Sequence, residues 1–308
     1  MMDGQTLTLR VADAVLIAPG LRRLHLVAAD GARLPPAAPG AHISLTLPHG
    51  HNSYTLVSAD AEAGYELIVR RTPQSRGGSR HIHDVLAPGD VLTATVPHNL
   101  FALHSQARKH LLIGGGIGVT PMLAFVAHLR ANHLPFELHQ LGAPAETGVF
   151  EALIDARPGE RVHVHAAEGV FDFAALLAPQ PLGTHLYTCG PAGMMNAVEA
   201  AAAELGWPAS HVHREDFGAA GGAPFTLRLA RSGIEIPVGA EQTMLAAIEA
   251  AGIDAPSLCR GGACGVCMVP VLDGIPEHRD HYLNPAERAS FVMPCVSRSK
   301  TATLVLDL

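Results

Sequence analysis

Four of the five cysteines are spaced for metal chemistry. Cys259, Cys264 and Cys267 form C-x4-C-x2-C in the run SLCRGGACGVC, and Cys295 follows after residues 268–294. A disulfide clip, a zinc site and an iron–sulfur cluster all compete for thiols this close together. The spacing is that of plant-type [2Fe–2S] ligands. Zinc knuckles more often come as two C-x2-C pairs, and this chain has one. Gly261, Gly262, Ala263 and Gly265 let the backbone wrap closely and bring amides to the sulfurs. The competing reading is a structural zinc or four buried thiols.

Two further runs have the chemistry of anion binding. LLIGGGIGVTPM places Gly114, Gly115, Gly116 and Gly118 between an apolar strand and a helix, which builds an anion pocket at the helix start. Val119 stands where a G-x-G-x-x-G fingerprint needs its third glycine, and HQLGA supplies no acidic residue for a ribose. LYTCGPAGMM offers a second small-residue turn into a helix, with Thr188, Cys189 and Gly190 at its edge. Two such edges side by side make a dinucleotide cleft; each alone is equally a tight turn. Earlier, RRTPQSRGGSRHIHDVL brings Arg71, Arg76 and Arg80 to a Gly77–Gly78 turn, with Ser79 expected to cap a short helix running to Leu86. Amides and guanidinium groups so arranged suit a phosphate, although an ordinary basic turn reads the same way. The pairs His81–His83, His163–His165 and His211–His213 are all H-x-H and would share a face on strands. No third ligand is identifiable for any of them, and they read as structural.

The elements that must hold these residues change character along the chain. Six short β-like runs up to about residue 104 are separated by Gly, Pro and Asp turns, the pattern of a small antiparallel barrel. From His110, strands alternate with helices, which predicts a parallel sheet. GAAGGAP, at 218–224, has linker composition. Beyond it come a hairpin at Ser232–Gly233, a helix capped by Thr243 and stopped by Gly252, the cysteine loop, and a terminal strand. The expected domains are 1–104, 105–217 and 225–308, joined by 218–224: an antiparallel β-barrel, an α/β parallel sheet and a small α+β domain.

Composition narrows the function. With 308 residues, 48% hydrophobic and 16% charged, the chain can bury substantial cores. Its formal net charge of −7, with Lys109 and Lys300 as the only lysines, leaves no basic stripe for nucleic acid. The acidic amino terminus is no secretory signal. The uncharged stretch 111–129, broken by glycines, Pro121 and His128, reads as strand, turn and helix rather than a membrane span. A cytoplasmic location follows as the expectation, where reducing conditions favour metal over disulfide.

SYTL, SRGGSR, GGGIGVTP, YTCGP, HREDF, the cysteine loop and the segment from EHRDH to the last residue together resemble the phthalate dioxygenase reductase and vanillate O-demethylase reductase family, across the whole chain. The resemblance implies an FMN barrel, an NADH domain and, in the small α+β domain, a plant-type ferredoxin, with Cys259, Cys264, Cys267 and Cys295 as metal ligands. Tyr54 and Thr55 would lie against the flavin ring, with Arg71, Gly77, Gly78 and Ser79 at its phosphate. Gly115, Gly116, Thr120, Cys189 and Gly190 would receive the nicotinamide nucleotide, and Phe217 would sit near the reacting rings. Asn52 stands where the family usually carries Arg, and Leu141–Ala143 where it often carries an Arg–Ser pair. NADH would thus be the hydride donor, and flavin the converter from electron pairs to single electrons. The acceptor implied is a separate Rieske-type oxygenase. The alternatives are a haem monooxygenase as acceptor, or a redox sensor, which would need no hydride donor.

Overall fold

Alternation of apolar and polar residues builds the first sheet. Its strands are β1 (Thr6–Ala18), β2 (Leu21–Ala28), β3 (Ala41–Leu47), β4 (Gly50–Thr55), β5 (Ser58–Asp60), β6 (Gly64–Arg70), β7 (Val91–Thr95) and β8 (His98–Asn99), with helix α1 (Gly78–Asp84) between β6 and β7. All pairings are antiparallel, in the order β4-β3-β7-β1-β2-β6-β5, with β8 on β3. Leu9 and Val11, Leu24 and Leu26, Ile43 and Leu45, and Tyr65 and Leu67 repeat every second residue and point into one core, which Ile82 of α1 joins. The computed structural model describes residues 6–48, 50–72, 77–167, 169–217, 222–240, 242–258, 261–262, 264–280 and 282–308. They divide into two units, 1–216 and 217–308.

The first unit continues into a parallel sheet. Its elements are β9 (Lys109–Gly115), α2 (Val119–Ala131), β10 (Phe136–Gly142), α3 (Thr147–Ile154), β11 (Val162–Ala166), α4 (Phe173–Leu177), β12 (Thr184–Cys189), α5 (Ala192–Glu204) and β13 (Val212–Glu215). Strand order is β11-β10-β9-β12-β13, every pair parallel. Leu112 faces the layer of α2 and α3, with Phe125 and Phe150, while Leu111 and Ile113 face α4 and α5, with Leu177 and Val198. A central strand buried on both sides accounts for the unbroken apolar run HLLIGG. Helices α3 and α4 carry no strong sequence signal and were not expected.

The second unit is a small α+β fold. Strands β14 (Phe225–Leu229), β15 (Ile234–Val238), β16 (Val269–Asp273), β18 (Phe291–Val292) and β20 (Thr303–Leu306) form a sheet in the order β15-β14-β20-β16-β18; β17 (Pro276–Glu277) pairs with β19 (Arg298–Ser299). Helix α6 (Met244–Ala250) begins where the Thr243 hydroxyl accepts the Ala246 amide at 3.1 Å, as the sequence predicts. Met244, Leu245 and Ile248 pack into the core with Leu227, Val292 and Leu304. Arg298, only 1% exposed, is held by three carbonyls, those of Gln242, Ala223 and Gly239 at 2.6, 3.1 and 3.0 Å, and lies 5.3 Å from the Phe225 ring centroid. Three carbonyl acceptors and an aromatic face offset part of the cost of burying this guanidinium. No helix among the described residues is long and apolar enough to cross a membrane.

Candidate functional site

The parallel sheet has a switch point between β9 and β12. From β9 the chain crosses through α2 to β10 on one side, while β12 and β13 lie on the other. Such a reversal opens a crevice at the carboxyl ends of the strands, where ligands bind in α/β folds. Both predicted small-residue turns sit there. The turn 116–118 leads into α2, and residues 190–191 lead into α5. A Cβ on Gly118 would lie 2.1 Å from the Cys189 carbonyl oxygen, and one on Gly190 would lie 2.8 Å from the Gly115 Cα. These glycines therefore exist for close approach of two backbones. Thr120 is buried and its hydroxyl bonds the Ile117 carbonyl at 3.1 Å, clipping the turn from inside. Gln140 secures it from β10 by donating to the Gly116 carbonyl at 3.0 Å.

Among the buried side-chain atoms that find no hydrogen-bond partner within the described residues, five fall in the carboxyl-terminal halves of strands of the first unit: Thr55 Oγ1, Arg70 Nη2, Gln140 Oε1, Thr188 Oγ1 and Glu215 Oε2. Three of them belong to the last residue of a strand. Unpaired buried polar atoms are costly, and a set of them at strand ends fits a polar ligand that completes their bonding. Arg70 is anchored by an ion pair from its other amino group to Glu146, which leaves Nη2 near Gly116. Burial raises the Glu215 carboxyl to about 8, so it is mostly protonated at neutral pH. Cys189 pairs with Glu215 in the β12–β13 register and is fully buried; burial, followed by the Glu215 charge, pushes its thiol well above the ordinary value. That makes it a packing group rather than a nucleophile.

Arg70, Gln140 and Glu215 were not among the expected site residues. Charged or amide side chains within strands give no sequence signal of burial, and only the strand-end position could have flagged them.

In the barrel, Gly77 has φ +121°, a value that favours glycine, and precedes α1. Asn52 on β4 lies directly over this turn: a Cβ on Gly78 would meet its Oδ1 at 2.3 Å. The expected Ser79 cap is not formed. The helix starts at Gly78, ends at Asp84 rather than Leu86, and the Ser79 hydroxyl instead accepts the Thr72 amide at 3.1 Å. Arg71 is half-exposed and paired with Asp84 at 2.7 Å. Arg76 lies outside the described residues. Tyr54 is half-buried against the barrel core, and Thr55 is buried beside it. His81 and His83 lie on α1, not on a strand, so they do not share a face as expected.

In the second unit, the Cys267 and Cys295 sulfurs stand 3.2 Å apart, both buried, with Cys264 half-buried. A disulfide needs about 2.05 Å. The separation instead suits two thiolates on one metal, and it brings residues from distant loops together. Cys259 lies outside the described residues, as do Arg260 and Ala263. Gly262 and Gly265 have φ of +74° and +76°, and a Cβ on Gly265 would strike the Tyr282 ring at 2.3 Å. The loop is thus pressed under Tyr282, which only glycine permits. Asp280 fastens the HRDH segment beneath it: the carboxylate accepts the Leu283 amide at 2.9 Å. His281 lies outside the described residues. Phe217 opens this unit and is 47% exposed.

A family profile described as "2Fe-2S iron-sulfur cluster binding domain" matches residues 227–300. Another, "Dimethylamine monooxygenase subunit DmmA-like, N-terminal domain", matches residues 92–212. The heme-dependent oxidative N-demethylase beta subunit of Ectopseudomonas mendocina (strain ymp) is 41% identical over 306 residues, covering 98% of this chain and 99% of that one. The vanillate O-demethylase oxidoreductase of Pseudomonas sp. (strain HR199 / DSM 7063) is 39% identical over 307 residues, covering 95% and 97%. Among solved structures, phthalate dioxygenase reductase, described as "a modular structure for electron transfer from pyridine nucleotides to [2Fe-2S]", aligns with a TM-score of 0.79 at 34% identity, covering 98% of each chain.

Proposed function

The chain belongs to the family of the phthalate dioxygenase and vanillate O-demethylase reductases, and from that premise we propose that it moves electrons from NADH through FMN and a [2Fe–2S] cluster to a separate oxygenase of the Rieske type. The FMN would lie in the barrel, with Tyr54 and Thr55 at its ring and Asn52, Arg71, Gly77, Gly78 and Ser79 around its phosphate. NADH would enter the switch-point crevice over Gly115, Gly116, Thr120, Cys189 and Gly190, with Phe217 near the reacting rings. Cys259, Cys264, Cys267 and Cys295 would hold the cluster. Bound flavin supplies the conversion of a hydride into single electrons. The protein residues orient the two rings and exclude water, with Gln140 and Thr120 fixing the turn that faces the nucleotide. The domain limits 1–104, 105–217 and 225–308, and a cytoplasmic location where thiols stay reduced, complete this reading.

One observation carries it: the buried 3.2 Å sulfur pair of Cys267 and Cys295 occurs in the same chain as a switch-point crevice lined by unpaired polar atoms. The first would help hold a cluster that carries single electrons, and the second suits a pyridine nucleotide, so one chain would join two-electron and one-electron chemistry. NADH oxidation coupled to substrate turnover by a Rieske oxygenase tests the proposal, and turnover with a haem enzyme alone would overturn the Rieske assignment. That second reading has its own support, since a relative at 41% identity is named as a heme-dependent demethylase subunit.

A further inference from the structure

On the α4 face of the parallel sheet, the strand register gathers donors that the sequence keeps apart. Glu137 and His139 alternate on β10, and His163 and His165 alternate on β11, with His139 directly opposite His163. All four point to the α4 face of the sheet. The Glu137 Oε1 lies 3.2 Å from His139 Nε2 and 4.0 Å from His163 Nε2, and one donor atom from each of the three residues lies within 4.8 Å of the others. Ligands at about 2.1 Å from a tetrahedral metal stand roughly 3.4 Å from one another. The observed separations bracket that value. We propose that Glu137, His139 and His163 form a binding site for a borderline divalent transition-metal ion such as Zn²⁺, Ni²⁺ or Cu²⁺.

The surroundings support a built site. His139 Nδ1 is 3.0 Å from His165 Nε2, so the neighbouring imidazole fixes the ring and presents Nε2 inward. With Nδ1 protonated toward His165, Nε2 and Oε1 become two acceptors at 3.2 Å, a contact that a shared cation resolves. The second carboxylate oxygen, Oε2, is held by Lys109 at 2.5 Å, and Lys109 is itself bonded to Gln180 at 2.8 Å. Glu137 is therefore oriented as a single-oxygen ligand. Its side chain is 3% exposed, while that of His163 is 47% exposed, so the site is buried on one side and reached from solvent on the other. Two imidazoles and one carboxylate suit zinc, nickel or copper rather than calcium or magnesium, which need more oxygen donors. The fourth position is left to water.

Arg161 is the competitor. Its Nη2 donates to the same Oε1 at 2.9 Å, and its side chain is 64% exposed. A metal ion must displace it, and the guanidinium is free to swing outward. Gln140 follows His139 directly but projects from the other face of β10, toward Gly116 and the crevice. The bound ion therefore clasps edge strand β11 to β10 and takes no part in the electron path, and the inference is independent of the acceptor.

The test is metal binding to the holoenzyme after dialysis against a chelator, with Zn²⁺ titrated against a chromophoric competitor and the unfolding temperature followed in parallel. The wild-type chain should bind one equivalent with a micromolar or tighter Kd and unfold at a higher temperature. His163→Ala should weaken that binding at least tenfold and abolish the thermal shift, while Arg161→Gln should tighten it severalfold. His211→Ala, in a different histidine group, should leave the Kd unchanged. No saturable site in the wild-type chain, an unaltered Kd in His163→Ala, or weaker binding in Arg161→Gln would each overturn the assignment.

Discussion

Single residues carry the two halves of the electron path. Cys295 reaches the cluster loop from a distant segment and meets Cys267 at 3.2 Å, within the second unit alone. Cys295→Ser should therefore cost the visible absorption and electron paramagnetic resonance of the cluster. NADH should still reduce ferricyanide, whereas delivery to cytochrome c should fall by orders of magnitude; an unchanged cytochrome c rate would show that electrons bypass the cluster. Glu215 makes a different kind of prediction. Burial raises its carboxyl from 4.5 to about 8. Between those values the unfolded chain holds fewer protons than the folded one, so this group's contribution is complete below pH 4.5 and lost as pH rises toward 8. Glu215→Gln should remove that decline, and at pH 8 the variant should unfold several degrees above the parent, on the order of a few degrees per kcal/mol. Thermal unfolding across pH for both proteins measures the difference. The cysteine loop was legible because C-x4-C-x2-C is a local spacing, whereas the approach of Cys295 to Cys267 is set by the fold. Glu215 was not legible, since a glutamate closing a strand reads as solvated until its neighbours are placed.

At the scale of elements, the crevice depends on two turns that nearly touch. The runs GGGIG and CGP announced both turns, but not that each glycine is needed for the other turn's backbone. Gly118→Ala would place a methyl 2.1 Å from the Cys189 carbonyl oxygen, and backbone cannot yield as a side chain does. Overpacking of this kind costs about 1–3 kcal/mol. The expected outcome is a Kd for NADH weakened at least tenfold, read by fluorescence quenching, with barrel and cluster spectra retained. A variant binding NADH as the parent does would mean the turns have slack. Register was the other hidden quantity. HVH on β11 and ELH on β10 are each unremarkable strands, and only the pairing of His139 with His163 sets Glu137 among imidazoles. The barrel was more readable, because alternation such as Leu24 and Leu26 against Arg23 and His25 declares its inward face without any partner. The short α1 was misjudged by a residue or two at each end, since Gly77 adopts a conformation that makes a side-chain cap unnecessary.

For the whole molecule, charge governs encounter. A formal net charge of −7 favours a basic partner face, and attraction between exposed charges fades once salt shortens the Debye length to about 8 Å. The kcat/KM for transfer to the oxygenase should fall as ionic strength rises from 20 to about 500 mM, while flavin reduction by NADH changes far less. A flat salt profile for the oxygenase step would point to an apolar docking face instead. The buried Arg298 bears on a different question, where such a protein can be cut and rejoined. Its guanidinium grips the carbonyls of Ala223, Gly239 and Gln242, so the segment just ahead of β14 is tied to the penultimate strand of the second unit. A gene boundary drawn just after Ala223 would strip one acceptor from an interior cation and leave an unstable fragment. Drawn before Gly222, it would carry the whole anchor along. Shuffling the electron-delivering module between reductases, or grafting it onto an oxygenase, should therefore succeed at a seam upstream of residue 222 and fail a few residues later.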